Sequence, residues 1–485
     1  MALVTESALV QTVPRGLYID GDWLQTPDTL AVEDPSTGEV LAEVADATEQ
    51  DALAALEAAH RAQRGWAAVP ARERGEILRR AYEEIVARQD ELALLMTLEM
   101  GKPLAESRGE IAYAAEFFRW FAEEAVRIDG RYADAPNRAS RLLVMKQPVG
   151  PCLLITPWNF PLAMGTRKIG PAIAAGCTMV VKPAKQTPLS MLALAEVLER
   201  AGLPAGVLNV ITSSSAGRVM GPLIADPRAR KLSFTGSTEV GRTLVEQSAR
   251  QLLRVSMELG GNAPFIVFED ADVDEAVAGA LLAKMRNGGE ACTAANRFYV
   301  HERLLPEFAT RLADRMQAMK VGRGTEPGIE VGPLIDAVER DKVGAMVSEA
   351  LAQGGSALTG GEAIDSPGWF YRPTVLVDVP GDARVMQEEI FGPVAPLQSF
   401  ADEDEVIAAA NATEYGLVAY LYTNDLRRAL RVSEQLETGM LGVNQGIVSN
   451  AAAPFGGAKH SGFGREGGRE GIDEYLETRY LAIAR

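Results

Sequence analysis

An alternation that begins at Cys152 constrains this chain's fold more than any other feature. Apolar runs of strand length at 153–156, 178–182, 207–212 and 232–235 are separated by helical segments at 165–175, 189–201, 216–225 and 238–251. Strands that are apolar at nearly every position are buried on both faces, and the intervening helices supply the cover. The pattern predicts a parallel, doubly wound sheet. A second alternation follows Gly260-Gly261, with strands expected at 264–268, 298–301, 374–379 and 419–423. Its helices fall at 273–285, 303–319, 338–353, 403–410 and 426–436. At 485 residues the chain is too long for one core, so two α/β units are expected.

The chain before Cys152 reads differently. Surface strands and turns occupy 16–38, and Thr48 with Asp51 opens a helix over 50–64. Helical periodicity returns as one run over 72–100, stops at Gly101-Lys102-Pro103, and resumes to about 126. Residues 130–147 read as a hairpin standing off the first unit, and the glycine-rich tail from Pro454 ends in 471–484. A hairpin and a terminal strand left unpaired are natural subunit contacts.

The formal charge of −18, from 48 basic and 66 acidic residues, argues against nucleic acid and anionic membranes as partners. The apolar run 152–155 is too short to span a bilayer and is stopped by Pro157 and Pro161. The N-terminal stretch carries Glu6 and no basic segment, so no secretory signal is expected. Three cysteines, Cys152, Cys177 and Cys292, give no disulfide framework and suggest a reducing compartment, the cytoplasm. The three histidines, His60, His301 and His460, form no zinc motif, and no metal site is expected.

Against that background two residues stand out. Cys292 lies in a small, polar, glycine-bearing stretch, 287–294, where backbone and ligand can approach closely. Glu258 ends an apolar strand and is followed by two glycines, a poor core position and a good one for a base. Two loops suit a nucleotide. Phe234-Thr235-Gly236-Ser237 ends a strand and opens a helix, whose N-terminal N–H groups can meet a phosphate. Val181-Lys182-Pro183-Ala184-Lys185 sets two lysines past the C-terminal end of a buried strand, where such sheets bind ligands.

Five segments occur in order: Thr156-Pro157-Trp158-Asn159-Phe160-Pro161, Phe234 to Gly241, Met257-Glu258-Leu259-Gly260-Gly261-Asn262, Gly289-Glu290-Ala291-Cys292 and Glu389-Ile390-Phe391-Gly392-Pro393. Together they resemble the aldehyde dehydrogenase superfamily over about 18–480. The resemblance implies a Rossmann-type cofactor domain (1–127 and 148–256), an α/β catalytic domain (257–444), and an oligomerisation hairpin and tail (128–147 and 459–485). It implies Cys292 as nucleophile, Glu258 as general base, and Asn159 as side-chain donor to an oxyanion beside the backbone N–H of Cys292. Lys182 would contact the adenosine ribose, Ser237 the pyrophosphate, and Glu389 the nicotinamide ribose, with Phe391 near the nicotinamide. Thr156, Trp158, Ala184, Lys185, Gly236 and Leu259 complete the implied cofactor set. A homodimer or homotetramer is implied as well.

The chemistry suits these residue types. Thiolate addition to an aldehyde gives a tetrahedral thiohemiacetal whose oxyanion expels hydride, and a carboxylate in an apolar setting then activates water against the thioester.

Within the superfamily, Thr166-Arg167-Lys168, Met285-Arg286-Asn287 and 446–450 resemble the carboxylate-binding segments of the succinate-semialdehyde dehydrogenase branch. That likeness implies a clamp of Arg167, Arg286 and Ser449 for a small carboxylated aldehyde; the alternative for both arginines is a bridge to protein carboxylates. Another ω-carboxy aldehyde, such as glutarate semialdehyde, would use the same clamp. Glu258 argues against an acyl-CoA product, and a non-catalytic scaffold would not need Cys292, Glu258 and Asn159 together. Lys185 stands where relatives that prefer NAD often carry glutamate, so NADP is favoured and NAD remains usable.

Three positions depart from the pattern. Glu290 replaces the usual glutamine and is expected to raise the Cys292 pKa unless it is paired. Ala294 stands where close relatives carry a second cysteine, so a thiol switch there is not expected. Gln445 leaves the preferred chain length open.

Overall fold

The computed structural model describes residues 6–485. Its first sheet has eight strands in the order Asp22–Leu24, Leu17–Ile19, Leu208–Val210, Met179–Lys182, Cys152–Ile155, Lys231–Thr235, Arg254–Glu258 and Gly462–Phe463. The five strands from Leu208–Val210 to Arg254–Glu258 are parallel, and the outer ones run antiparallel. Chain order across the parallel part reverses between Cys152–Ile155 and Lys231–Thr235, which opens a crevice beyond their C-terminal ends. Cys152–Ile155, Met179–Lys182 and Lys231–Thr235 are buried at every position, as their unbroken apolar character requires.

The second sheet has seven strands: Ser356–Thr359, Thr374–Val377, Val394–Phe400, Ala295–His301, Ala263–Val267, Val418–Tyr422 and Met440–Val443. All neighbours are parallel except the edge pair Ser356–Thr359 with Thr374–Val377. Three of these strands, Ser356–Thr359, Val394–Phe400 and Met440–Val443, are additions to those read from the sequence.

The helix over Glu49–Ala67 opens with a capping box between Thr48 and Asp51. The single helical run expected over 72–100 is two helices, Ala71–Ala87 and Gln89–Met100. Arg88 breaks it with φ −101° and ψ 17° while its guanidinium reaches Glu91 at 2.5 Å and Glu196 at 3.1 Å. The tail strand is not left unpaired. Leu476–Ala484 pairs antiparallel along its length with Ser140–Pro148, which pairs in turn with Arg131–Asp134. This three-stranded sheet exposes Tyr132, Met145, Tyr480, Leu481 and Ile483. No helix among the described residues is long and apolar enough to cross a membrane. The first five residues of the N-terminal segment lie outside the described residues.

Candidate active site

Cys292 sits between two α/β units. The helix Val273–Met285 gives way to a tight turn in which Asn287, Gly288 and Gly289 all take positive φ, at 54°, 61° and 82°. The strand Ala295–His301 begins three residues after Cys292. The second glycine after Glu258 lets this loop close: a Cβ on Gly261 would lie 2.4 Å from the Cys292 carbonyl oxygen.

Glu258 ends the strand Arg254–Glu258, in register with Thr235 on one side and Gly462 on the other. It is buried, and neither carboxyl oxygen has a hydrogen-bond partner. Burial raises its pKa to about 8, against the pull of Arg167, whose Nη2 lies 3.5 Å away. A buried carboxylate with free lone pairs, titrating near neutrality, has the properties of a base that awaits water. The adjacent Arg167 and Lys168 both pair with Glu466, and Lys168 also donates to Ser233 at 3.0 Å.

Asn159 and Cys292 are brought together through Glu290. The Asn159 amide donates to the Glu290 carbonyl at 3.0 Å, and its Oδ1 accepts from the Phe160 N–H at 3.1 Å. That fixes the NH2 end toward the Cys292 loop and leaves one N–H free for a second acceptor.

Burial, with Glu258 adding to it, pushes the Cys292 thiol up to about 12, and Arg167 and Arg286 act against the rise. Glu290, the departure expected to raise the Cys292 pKa unless paired, is paired. Its carboxyl is buried and accepts from the Ile335 N–H at 3.0 Å, and burial raises its own pKa well above the ordinary carboxylate range. Ala294 is buried two residues beyond the thiol, and the other cysteines, Cys152 and Cys177, lie within the core of the first sheet.

A cavity of about 160 Å³ is lined by Trp158, Asn159, Gly236, Ser237, Leu259, Cys292, Glu389 and Phe391, bringing eight of the expected residues to one place. Ser237 caps the helix Thr238–Ser248, so that helix's N-terminus faces the cavity. Glu389 accepts from the Gly261 N–H at 3.0 Å, and burial lifts its pKa to about 7. Phe391 takes φ 56° and meets Trp158 edge-on at 5.3 Å between centroids.

Lys182 ends its strand, and Thr156, one residue past the neighbouring strand Cys152–Ile155, donates its N–H to the Lys182 carbonyl at 3.2 Å while its Oγ1 is buried without a partner. Lys182 is buried with no ion pair among the described residues, and burial together with Lys185 lowers its pKa to about 8. A buried ammonium and orphaned hydroxyl oxygens at the end of a parallel sheet fit the hydroxyl-rich, anionic half of a dinucleotide. Ala184 is half-buried and Lys185 is exposed on the same loop.

On the other side of Asn159, Phe160 faces a cavity of about 740 Å³ lined also by Glu106, Tyr113, Met285, Arg286, Ile447 and Ser449. The Arg286 guanidinium donates to Ser449 Oγ at 3.2 Å and stacks over Phe160 at 4.7 Å. Arg286 and Ser449 therefore lie together on one wall of this cavity. Arg167 differs: it is held by Glu466 and lies over the Phe455 ring at 4.1 Å, close to the protein-carboxylate alternative, though its Nη2 has no hydrogen-bond partner. Tyr113, missed in the sequence, places a buried, unpartnered hydroxyl near Arg167, Arg286 and Ser449. Its helix, Leu104–Glu124, is apolar around it, so nothing in the local pattern separates it from the core. Gln445 is exposed and outside this lining, which Ile447 enters instead.

The chain matches the Aldehyde dehydrogenase family over residues 23–481 and belongs to it. It is 61% identical to the succinate-semialdehyde dehydrogenase of Paenarthrobacter nicotinovorans over 445 residues, 92% of this chain and 99% of that one. It is 53% identical to the glutarate-semialdehyde dehydrogenase of Pseudomonas putida, over 96% of this chain and 97% of that one. An E. coli NADP-dependent enzyme of known crystal structure superposes with a TM-score of 0.96 at 52% identity, covering 98% of each chain. The protein is an NAD(P)-dependent aldehyde dehydrogenase with the fold its strand and helix pattern predicts.

Proposed function

We propose that the protein oxidises succinate semialdehyde to succinate with NADP as the favoured cofactor. The observation that carries the substrate is the Arg286–Ser449 pair on one wall of the larger cavity, beside the unpartnered Tyr113 hydroxyl and Arg167 Nη2. A carboxylate is the ligand that satisfies a guanidinium fork and two hydroxyls together, and it would direct the other end of a short chain toward Cys292. The Paenarthrobacter relative bears the same substrate in its name.

In this reading Cys292 loses its thiol proton to solvent and adds as thiolate to the aldehyde carbon, and the free N–H of Asn159 with the Cys292 backbone N–H holds the oxyanion. When bound, the cofactor would supply the hydride acceptor. Glu258, freed of its proton near pH 8, takes a proton from water as the water attacks the thioester, and Cys292 leaves as thiolate. Lys182, Ser237 and Glu389 hold the cofactor, and Lys185 attracts a 2′-phosphate. The exposed apolar residues of the three-stranded sheet support assembly as a homodimer or homotetramer.

Glutarate semialdehyde is the second reading, favoured by the cavity's size and by the Pseudomonas relative's name. The test is a steady-state panel of succinate semialdehyde, glutarate semialdehyde and neutral aldehydes, each with NADP and with NAD. A kcat/KM for a neutral aldehyde equal to that for succinate semialdehyde would remove the clamp.

A further inference from the structure

The segment Gly101-Lys102-Pro103, so far only a helix breaker, carries chemistry at its centre. Lys102 is buried, and its ammonium donates to Glu110 at 2.6 Å and to the main-chain carbonyl of Asn159 at 2.7 Å, while lying 4.1 Å over the Phe160 ring. Glu110 spends its other oxygen on the N–H groups of Leu162 and Ala163, at 3.0 and 3.1 Å. These open the helix Ala163–Ala175, whose own N-cap residue, Leu162, has no side chain able to do this. Lys102 and Glu110 thus hold both ends of the short turn that carries Asn159.

The same stripe reaches the nucleophile loop. Glu106, one helical turn before Glu110, accepts from the Asn287 N–H at 2.5 Å. The Asn287 side chain then donates to two carbonyls, those of Asn159 at 3.1 Å and Glu290 at 3.0 Å. Spacing by four puts Glu106 and Glu110 on one helix face, with Lys102 just ahead of the first turn. Through that face the helix Leu104–Glu124 ties the Asn159 turn to the Cys292 loop, although neither belongs to it.

We propose that Lys102, with Glu106 and Glu110, is a positioning residue of the oxyanion site: it sets the Asn159 side-chain amide against the Cys292 backbone and touches no reacting atom. This positioning role depends on the oxyanion donation proposed for Asn159. An oxyanion donor acts only when it is held where the charge develops, and a carbonyl anchored by a buried ammonium and a side-chain amide cannot drift with its loop. The Glu290–Ile335 hydrogen bond closes the brace from the far side.

The test is a double-mutant cycle between Lys102 and Asn159, read as kcat and KM with succinate semialdehyde and NADP. Lys102→Met leaves the buried Glu110 without its ammonium partner, so Lys102→Met/Glu110→Gln is measured beside it, with thermal unfolding of each. Asn159→Ala alone should lower kcat by about 100-fold. The Lys102 variants should lower kcat by about 10-fold or more with KM changed by less than about threefold. In the Asn159→Ala background the same changes should cost less than about threefold, because the amide they position is gone. Full additivity, or a loss that follows unfolding temperature and raises KM equally, would overturn the proposal while leaving Asn159 in place. An inert Asn159→Ala would instead sink the oxyanion assignment itself.

Discussion

The side-chain amide of Asn159 donates to the main-chain carbonyl of Glu290 at 3.0 Å, while the Glu290 carboxyl turns the other way to accept from the Ile335 N–H. One residue therefore holds the Asn159 side chain with its backbone and an adjoining segment with its side chain.

Glu290→Gln keeps an acceptor for the Ile335 N–H and removes the titratable proton. Burial raises the folded-state pKa of Glu290, so above its ordinary value the native state holds a proton that the unfolded state releases. Stability present below that ordinary value is lost as pH rises, by about 1.4 kcal/mol per pH unit until the folded pKa is reached. The variant should unfold at a higher temperature than the parent at pH 8 and at nearly the same temperature at pH 4.5. Thermal scans at both pH values check this.

Cys292→Ala should abolish NADP reduction by succinate semialdehyde and leave NADP binding within about threefold of the parent, as seen by fluorescence titration. Turnover above about 1% of the parent rate would displace Cys292 as nucleophile.

Arg286→Ala and Arg167→Ala should fail differently. Arg286 faces the open cavity, so its loss should raise KM for succinate semialdehyde by about 30-fold or more and hardly affect neutral aldehydes. Arg167 also holds Glu466 and restrains Glu258, so its loss should lower kcat for every aldehyde. Steady-state constants for one carboxylated and one neutral aldehyde separate the two.

The Glu258 carboxyl should govern thioester hydrolysis. With a pKa near 8, its base form grows as pH rises through that value, so the rate of hydrolysis should climb and then level off. Glu258→Gln should give one burst of NADPH per active site followed by slow turnover without that inflection. Arg167→Leu removes the positive charge that holds the carboxyl down and should move the inflection upward.

Lys185→Glu should reverse cofactor choice. An exposed lysine replaced by a carboxylate exchanges attraction for repulsion at a 2′-phosphate. We expect kcat/KM with NADP to fall about 100-fold and that with NAD to change by less than about threefold. Parallel assays with both cofactors decide it.

Much of this was legible in the chain because the central strands Cys152–Ile155, Met179–Lys182, Lys231–Thr235, Ala263–Val267 and Val418–Tyr422 are buried at every position, whereas the missed Ser356–Thr359 is an exposed edge strand. Cys292, Glu258 and Ser237 could be singled out because each breaks a local rule: a thiol among glycines, a carboxylate ending an apolar strand, a hydroxyl at a strand-to-helix turn. Arg167 was harder to place, since its partner Glu466 lies 299 positions away and no local spacing reveals the pair. Tyr113 and Lys102 were hidden for the opposite reason. One sits in an apolar helix as a core residue would, and the other hides in a helix stop.

The pairing of Leu476–Ala484 with Ser140–Pro148 has a consequence for how the molecule forms. The hairpin that opens with Arg131–Asp134 must wait for a third strand made about 330 residues later, and closing a loop of that length is entropically slow. Until then its apolar side chains and one bare edge face solvent during synthesis. The interval before closure is when a growing chain is most exposed to pairing with a neighbour instead of with itself.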